Sequence, residues 1–412
     1  MANAIELAVV YQTMLDEQLE AEALTSWMEG NAGMVNFVGV SQVKIPSITT
    51  SGFGDMSRDG DYPVGSVVLA NQTVDITYDR AVALKADIFD VEESQGVANG
   101  GNIVKVFNKT QAVPEIDQTR HAKLFSYANA AVKTAAYTPV VGTIYSQLIS
   151  DIEEIQGTIG ENYELVIHIR SKVASILAKS TEMTKYVALT DGEMSFTAGS
   201  GQVITSKIKL LDGIPLLRMP NNRMYSNVTL NVGTVGDPTF GYSTNDYSAN
   251  INWIIMAREV PVAVKKYQNT KIVPQSINST SRQDCIIPNL YQDLFVFDNK
   301  VNGLYVSYTA IAAIELAGTL AKGTGTGNTK YTATGVATGN TLGYQVNDAA
   351  LTGATLPNYN DILTTTTDFT VYTSGADIEA AATKYLIVYE LDSNLRVVSL
   401  FQKILTGVVS TG

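Results

Sequence analysis

The sequence predicts an α+β fold followed by a small all-β C-terminal module. Three observations carry this. From Asp75 to Ala136 a strand pattern is followed by two helical patterns with almost no spacer. From Tyr163 to Thr309 short alternating segments recur between turn signals. At about Thr309 the composition shifts to Thr, Gly, Ala and Asn, with short β-type runs between glycine turns. Strands and helices that segregate along the chain suit α+β, and the strand-only tail suits a separate module.

The N-terminal stretch, residues 1–30, is helix-prone, with Leu7, Val10, Tyr11, Met14, Leu15, Leu19 and Leu24 at helical spacing and Asp16, Glu17, Glu20 and Glu22 opposite. Two readings stay open for it, a core helix and an arm that docks on a neighbouring subunit. Gly30 and Gly33 end it, and Val38, Val40, Val43 and Ile45 mark a strand over 35–46. Residues 47–73 are polar and aperiodic, a length of loop that is functional, disordered or an extended hairpin reaching another chain. Val74, Ile76 and Tyr78 alternate as a half-buried strand.

Asp90 stands three residues before Glu93, a capping-box-like helix start. Val97, Val104, Phe107 and Gln111 then share a face. Gly96, Gly100 and Gly101 cost this helix roughly 1 kcal/mol each, so they mark close packing or a bend. A second helix is predicted to open at Pro114, where a missing N–H is harmless. Glu115 and Asp117 fall in its first turn, on the favourable side of the helix dipole. Its apolar stripe is Ile116, Leu124, Phe125, Ala128, Ala131 and Ala135.

The clearest helix covers 141–156, with Val141, Ile144, Tyr145, Leu148, Ile149, Ile152 and Ile155 on one face. Residues 163–170 alternate as a strand, with His168 on the polar side, and Ser171 is expected to cap a short helix. Asp212-Gly213 marks a hairpin turn within 204–220. Residues 221–247 are loop-rich and 250–274 return to strand. A hairpin is predicted across Asn302-Gly303 within 295–309, and another across Asp392-Ser393-Asn394 within 384–402.

Composition excludes several function classes. The chain has 28 basic and 40 acidic residues, a net charge of −12, which argues against broad phosphate-backbone binding. The densest basic group, Lys265-Lys266 with Lys271, is expected in a solvated turn. A single cysteine, Cys285, excludes an intramolecular disulfide framework and reads as a small, partly buried thiol. No secretory signal and no run of about 18 apolar residues is present, so a soluble protein made in the cytoplasm is expected. Low charge content suits a chain that buries outer surface against copies of itself.

No catalytic, cofactor-binding or metal site emerges, and the chain is expected not to be an enzyme. There is no GxxxxGK[ST] or HExxH pattern. GTGTGN (323–328) lacks the strand-to-helix context of a phosphate loop and reads as a flexible turn. Two histidines, His121 and His168, and one cysteine do not make a usual transition-metal site. The carboxylates Asp87, Asp90, Glu92 and Glu93 read as a helix-start charge cluster, with weak divalent-cation binding as the alternative.

Four ordered groups of residues resemble the major capsid proteins of tailed bacteriophages with the Hong Kong 97-type fold. The first is Tyr78-Asp79-Arg80 with Asp87, Asp90, Glu92 and Glu93. The second is Val113-Pro114-Glu115-Ile116-Asp117 with Ala122-Lys123-Leu124. The third is Leu211-Asp212-Gly213-Ile214-Pro215 ahead of Met219-Pro220. The last runs from Asn252-Trp253-Ile254-Ile255 through Ala263-Val264-Lys265 and Lys271-Ile272-Val273-Pro274 to Phe297-Asp298-Asn299-Lys300 and Gly303-Leu304-Tyr305-Val306. Together they span about 35–308. Ala81 replaces a family glycine, and Gln292 stands where a histidine often precedes Asp293.

The resemblance implies an N-terminal arm (1–40), an extended β-hairpin loop (41–77), a peripheral domain with a spine helix (78–139 and 251–309) and an axial domain (140–250). The C-terminal β-rich module (310–412) lies outside that common core. It implies a structural protein that self-assembles into hexamers and pentamers of an icosahedral shell enclosing double-stranded DNA, without sequence-specific binding. Expected partners are further copies of the chain, a scaffolding protein, a portal and decoration proteins, with no membrane. The expected location is the virion, after assembly in the bacterial host cytoplasm. An encapsulin-like nanocompartment shell is the alternative, and a β-rich surface protein a more distant one. Lys44 and the hairpin match no crosslinking pattern, so no Lys–Asn crosslink is expected. Gly96, Gly100 and Gly101 become a bending point in the spine helix.

Overall fold

A single helical run from Gly100 to Ala130 forms the backbone of the first half of the chain. It comprises α1 (Gly100–Phe107), a π turn (Asn108–Ala112) and α2 (Val113–Ala130). The two helices expected from the sequence are therefore continuous, and Pro114 lies inside the run rather than at a fresh start. A proline ring clashes with the carbonyl four residues back and offers no N–H. The wider π turn answers this: the Val113 N–H reaches back five residues to the Asn108 carbonyl. Among the described residues the irregularity thus sits at 108–112, beside Pro114, and not at Gly100 or Gly101. Gly100 and Gly101 open α1.

The computed structural model describes residues 24–34, 36–38, 42–56, 60, 64–87, 100–180, 190–197, 203–211, 213–233, 240–244, 248–273, 283–352 and 355–410. Asp90, Glu92, Glu93, Gly96 and Val97, the helical pattern of residues 1–22 and Asp212 lie outside them. The chain divides into two compact units, Met1–Tyr308 and Thr309–Gly412.

In the first unit, β1 (Asn36–Val38) folds back on β2 (Gln42–Thr50), so the strand expected over 35–46 is two antiparallel strands. β2 pairs with β3 (Val67–Asp75) in unbroken register from Gln42 opposite Asp75 to Thr50 opposite Val67. The polar excursion after residue 46 is therefore the outer part of a long hairpin. Its root is buried: Val43 and Ile76 pack with Val262, Val264, Phe295 and Phe297.

A second sheet joins β14 (Pro261–Val273), β15 (Gln283–Val296) and β4 (Tyr78–Ala81), with β5 (Leu84–Asp87) also on β15. Lys265 and Lys271 lie on β14, which corrects the expected solvated turn. Cys285, on β15, is half-buried and free. Val104, Val113 and Ile116 of the helical run pack on Ile286 of this sheet.

The largest sheet runs in the order β6 (Thr134–Ala136), β16 (Leu304–Tyr308), β13 (Ile251–Ala257), β7 (Leu165–Arg170), β10 (Ile214–Met219), β9 (Val203–Leu211) and β8 (Thr190–Thr197). Every residue of β13 is buried, and all of β7 but Arg170. Both faces of these strands are covered, so the polar side expected for His168 does not exist. α3 (Ile144–Ile159) buries Ile144, Leu148, Ile152 and Ile155, as its spacing requires. β9 and β10 form the expected tight hairpin, with Gly213 in the left-handed region at φ +80°.

Two further sequence expectations fail locally. β15 and β16 do not form a hairpin across Asn302-Gly303; a 3-10 turn (Asp298–Gly303) carries the chain from one sheet to another. Gly303 is needed there for close approach, since a Cβ would stand 2.8 Å from Val260 Cγ2. Ser171 is the first residue of α4 (Ser171–Leu177), not its cap. Asn221 Oδ1, from a distant loop, accepts the Lys172 N–H at 3.0 Å instead.

The second unit has no α-helix among its described residues. One sheet orders β17 (Ile314–Glu315), β24 (Val397–Ile404), β23 (Tyr385–Leu391), β20 (Thr341–Asn347) and β21 (Thr370–Tyr372). The other orders β18 (Gly318–Lys322), β19 (Asn328–Ala333) and β22 (Asp377–Glu379). Tyr331, Ile378, Leu386, Val388 and Phe401 fill the core between them. The Tyr331 hydroxyl donates to the Leu316 carbonyl at 2.6 Å, so this ring is buried without an orphaned polar atom. Ile387, Tyr389 and Val397 pack with Leu363 and Phe369 on the other face.

Candidate assembly site along the long helix

α2 buries Glu115, Asp117, Gln118, Arg120 and His121 together with its apolar residues. Buried polar groups are tolerated only when partnered, and here each one is bonded to a segment remote in sequence.

Glu115 Oε1 accepts hydrogen bonds from the Tyr78 hydroxyl at 2.8 Å and from Arg80 Nε at 2.9 Å. The rest of the Arg80 guanidinium donates to the carbonyls of Asn231 and Gly241 at 2.6 and 3.0 Å. Two motifs far apart in sequence, Tyr78-Asp79-Arg80 and Val113-Pro114-Glu115, thus form one network. Burial, with the Glu115 carboxylate next, pushes the Tyr78 phenol well above its ordinary value.

Asp117 Oδ1 accepts from the Thr25 N–H and hydroxyl, at 3.3 and 2.7 Å, and its Oδ2 from Arg223 Nη1 at 2.8 Å. Gln118 pairs through both ends of its amide with the Tyr225 backbone, at 3.0 and 3.1 Å. Arg120 donates to Glu29 at 2.6 Å, to the Thr25 carbonyl at 3.1 Å and to Gln292 Oε1 at 2.8 Å. Lys265 closes on the other oxygen of Glu29 at 2.9 Å. Burial alone would raise the Glu29 carboxyl, but the charges of Arg120 and Lys265 outweigh it and hold the group below its usual value. Lys123 pairs with Asp293, which also receives the Thr77 N–H at 2.8 Å.

The result is a clamp on residues 25–29, which sit in the 3-10 segment (Ser26–Met34) and the turn before it. Trp27 and Met28 are fully buried in it. Trp27 Nε1 donates to His168 Nε2 at 3.1 Å, and His168 Nδ1 meets His121 Nε2 at 3.0 Å. His121 Nδ1 meets the Arg223 carbonyl at 2.7 Å.

Other residues of the four motif groups make contacts within the first unit. Trp253 Nε1 donates to Asp151 Oδ2 at 2.8 Å, and Asn252 Nδ2 to the Tyr137 carbonyl at 2.7 Å. Gln72 Nε2 donates to Asp298 Oδ1 at 2.9 Å, tying the hairpin to the end of β15. Gln292, at the family's histidine position, serves as an acceptor for Arg120. Sequence reasoning missed Thr25, Trp27, Arg223 and the histidine pair. The available signal was His168 between Ile167 and Ile169 in an otherwise apolar strand.

The hairpin beyond its root is different in character. Ile48, Phe53, Met56, Val64, Val68 and Leu69 are exposed, with Val67 and Leu69 at 73% and 66%. Scattered exposed aliphatics are ordinary, but here Ile48 stands opposite Leu69 and several more share one hairpin, a pattern that suits an interaction surface. In the second unit, GTGTGN is an ordered turn. Asp377 accepts from the backbone N–H groups of Thr324 and Gly325, from the Thr324 hydroxyl and from Asn328 Nδ2. Its own carboxylate occupies the donors that a phosphate loop would offer. Among the described residues no group of three His, Cys, Asp or Glu is placed to hold a metal ion, and no helix is long and apolar enough to cross a membrane.

A family model described as the S-layer protein SbsC C-terminal domain matches residues 321–406. No curated protein sequence matches the chain. Among solved structures, the chain is similar to a chain of the bacteriophage PhiM1 mature capsid at 11% identity and a TM-score of 0.46, covering 66% of this chain and 82% of that one. It is also similar to a virus-like particle from Pyrococcus furiosus, at 10% identity and a TM-score of 0.41 over 73% and 99% of the two chains. A third similarity is to domains 7, 8 and 9 of the S-layer protein SbsC, at 24% identity and a TM-score of 0.22 over 29% and 38%.

Proposed function

We propose that this chain is a structural shell subunit, the major capsid protein of a tailed bacteriophage with the Hong Kong 97-type architecture. In this reading it assembles into hexamers and pentamers of an icosahedral shell around double-stranded DNA. The observation that carries the proposal is the β2–β3 hairpin. Its root is locked into the core by Val43 and Ile76, while its outer half presents Ile48, Phe53, Val67 and Leu69 to solvent. A rigidly anchored apolar projection of this kind is complementary to a second copy of the chain, and a heterologous contact repeated around a closed ring gives cyclic assemblies. The clamp on residues 25–29 supports the same reading, because it ties down part of the stretch that the resemblance assigns to the N-terminal arm. The ordered motif resemblance supports the assignment of arm, hairpin, peripheral and axial regions. The acidic balance suits a wall that lets DNA move within it.

Scaffolding, portal and decoration proteins are the partners this role calls for, and the second unit is an addition to the common capsid fold. The test is electron microscopy of the chain co-expressed with its scaffolding partner, followed by nuclease treatment of particles from infected cells. Closed shells that protect double-stranded DNA support the proposal. Shells that hold a protein cargo instead would make the chain a nanocompartment subunit, and a persistent monomer would overturn both.

A further inference from the structure

The two histidines of the chain form a buried relay with a fixed direction. An indole N–H only donates, so Trp27 obliges His168 Nε2 to accept. A neutral His168 then carries its proton on Nδ1 and donates it to His121 Nε2. His121 in turn carries its proton on Nδ1 and donates to the Arg223 carbonyl. With two ring protons every contact joins a donor to an acceptor. A third ring proton has no acceptor: on His121 Nε2 it faces the His168 N–H, and on His168 Nε2 it faces the Trp27 N–H.

We propose that the His121–His168 pair is an acid-operated latch on residues 25–29, holding Trp27 while both rings are neutral and releasing it when the pair takes up a third proton from solvent.

The surroundings reinforce this. Both histidines are fully buried. Across β7, His168 lies between Ile254 of β13 and Leu217 of β10, which offer no charge. From α2, Asp117 and Arg120 face the pair, and from the 3-10 turn after β10 (Asn221–Arg223) Arg223. In the 3-10 segment Glu29, two residues from Trp27, is committed to Arg120 and Lys265. Burial is the largest influence and holds both rings below the ordinary histidine value. For His121, the Asp117 charge and the Arg223 carbonyl oppose burial, while Arg120 and Arg223 add to it. For His168, His121 adds to it.

The sign follows from linkage. A released pair protonates near its ordinary value of about 6.5, and the latched pair only below that. The latch is therefore fully effective above about pH 6.5. On acidification below it, the latched-to-released ratio falls by up to about tenfold per pH unit for each ring involved.

The test uses the full-length chain, in which Trp27 and Trp253 are the only tryptophans. Acrylamide quenching of tryptophan fluorescence is followed from about pH 7 to about pH 4.5, the range in which histidine titrates, with far-UV circular dichroism as a check on global unfolding. The expected result is a rise in quenching before the dichroism changes, absent in Trp27→Phe. Glutamine reproduces the acceptor and donor of a neutral histidine without titrating. The double variant His121→Gln with His168→Gln is therefore expected to stay unquenched over the same range. Quenching that rises only with global unfolding, or that rises equally in the double variant, would overturn the proposal. If that variant does not fold, the wild-type imidazole resonances decide: two rings titrating at the ordinary value would overturn it, and two depressed titrations that coincide with Trp27 release would support it.

Discussion

Arg80 and Glu115, thirty-five residues apart, meet at 2.9 Å between Nε and Oε1 where the second sheet crosses the long helix. The Glu115 side chain is 9% exposed and Arg80 25%, so the pair is only partly screened. Arg80 also spends its two other nitrogens on loop carbonyls. Removing one partner strands the other and frees those carbonyls. Arg80→Met is expected to destabilise the first unit by about 2 kcal/mol, below the full cost of breaking a buried pair because of the partial exposure. Urea unfolding at neutral pH measures this, with a lowered midpoint at unchanged slope as the expected signature.

Asp377 gives a pH dependence in the second unit. Hydrogen bonds from the Thr324 hydroxyl and backbone, with those from Gly325 and Asn328, hold its carboxyl down at about 2, from an ordinary 3.8. A carboxyl depressed on folding contributes stability that is complete above its unfolded value and lost as pH falls toward the folded one. The thermal stability of the second unit is therefore expected to fall from about pH 4 to about pH 2. Asp377→Asn is expected to lower stability at neutral pH and flatten that slope.

Gly343 sits against Phe369, and a Cβ there would lie 2.3 Å from Phe369 Cδ2. The ring is packed among Ile387, Tyr389 and Val397 and has little room to move. Gly343→Ala is expected to cost about 1–3 kcal/mol as overpacking, read as a drop in the melting temperature of the second unit in the full-length chain.

Much of this fold was legible in the sequence where local chemistry decides the outcome. Asp212-Gly213 gave its hairpin because the turn needs a residue with positive φ. Asp392 gave another, accepting the N–H groups of Asn394 and Arg396. The α3 stripe gave a helix with its apolar side inward. What was not legible depends on contacts remote in sequence. The helical run continues through Pro114 because a π turn relieves the ring, which periodicity does not reveal. Asn302-Gly303 imitated a hairpin signal, yet its glycine is there to clear Val260. The clamp along α2 was hidden most deeply. Glu115 and Asp117 read as first-turn carboxylates favoured by the helix dipole and Arg120 carried no signal, since only the folded chain brings Arg80, Thr25, Arg223 and Glu29 to them.

If the chain is a shell subunit as proposed, the β2–β3 hairpin separates folding from assembly. Val67 and Leu69 lie on one side of β3 and touch no core. Val67→Lys with Leu69→Lys is expected to leave subunit stability within about 0.5 kcal/mol while abolishing particles on a sucrose gradient. Loss of folding would show that these residues serve the subunit itself.

Whether that apolar surface is covered by a second copy is the question on which the whole account turns, and a cryo-electron microscopy map of assembled particles answers it. The expected map shows a closed shell in which Phe53, Val67 and Leu69 of each subunit are buried against a neighbouring subunit. Hairpins that remain solvated in the particle, or a chain that forms no shell with its scaffolding partner present, would contradict it.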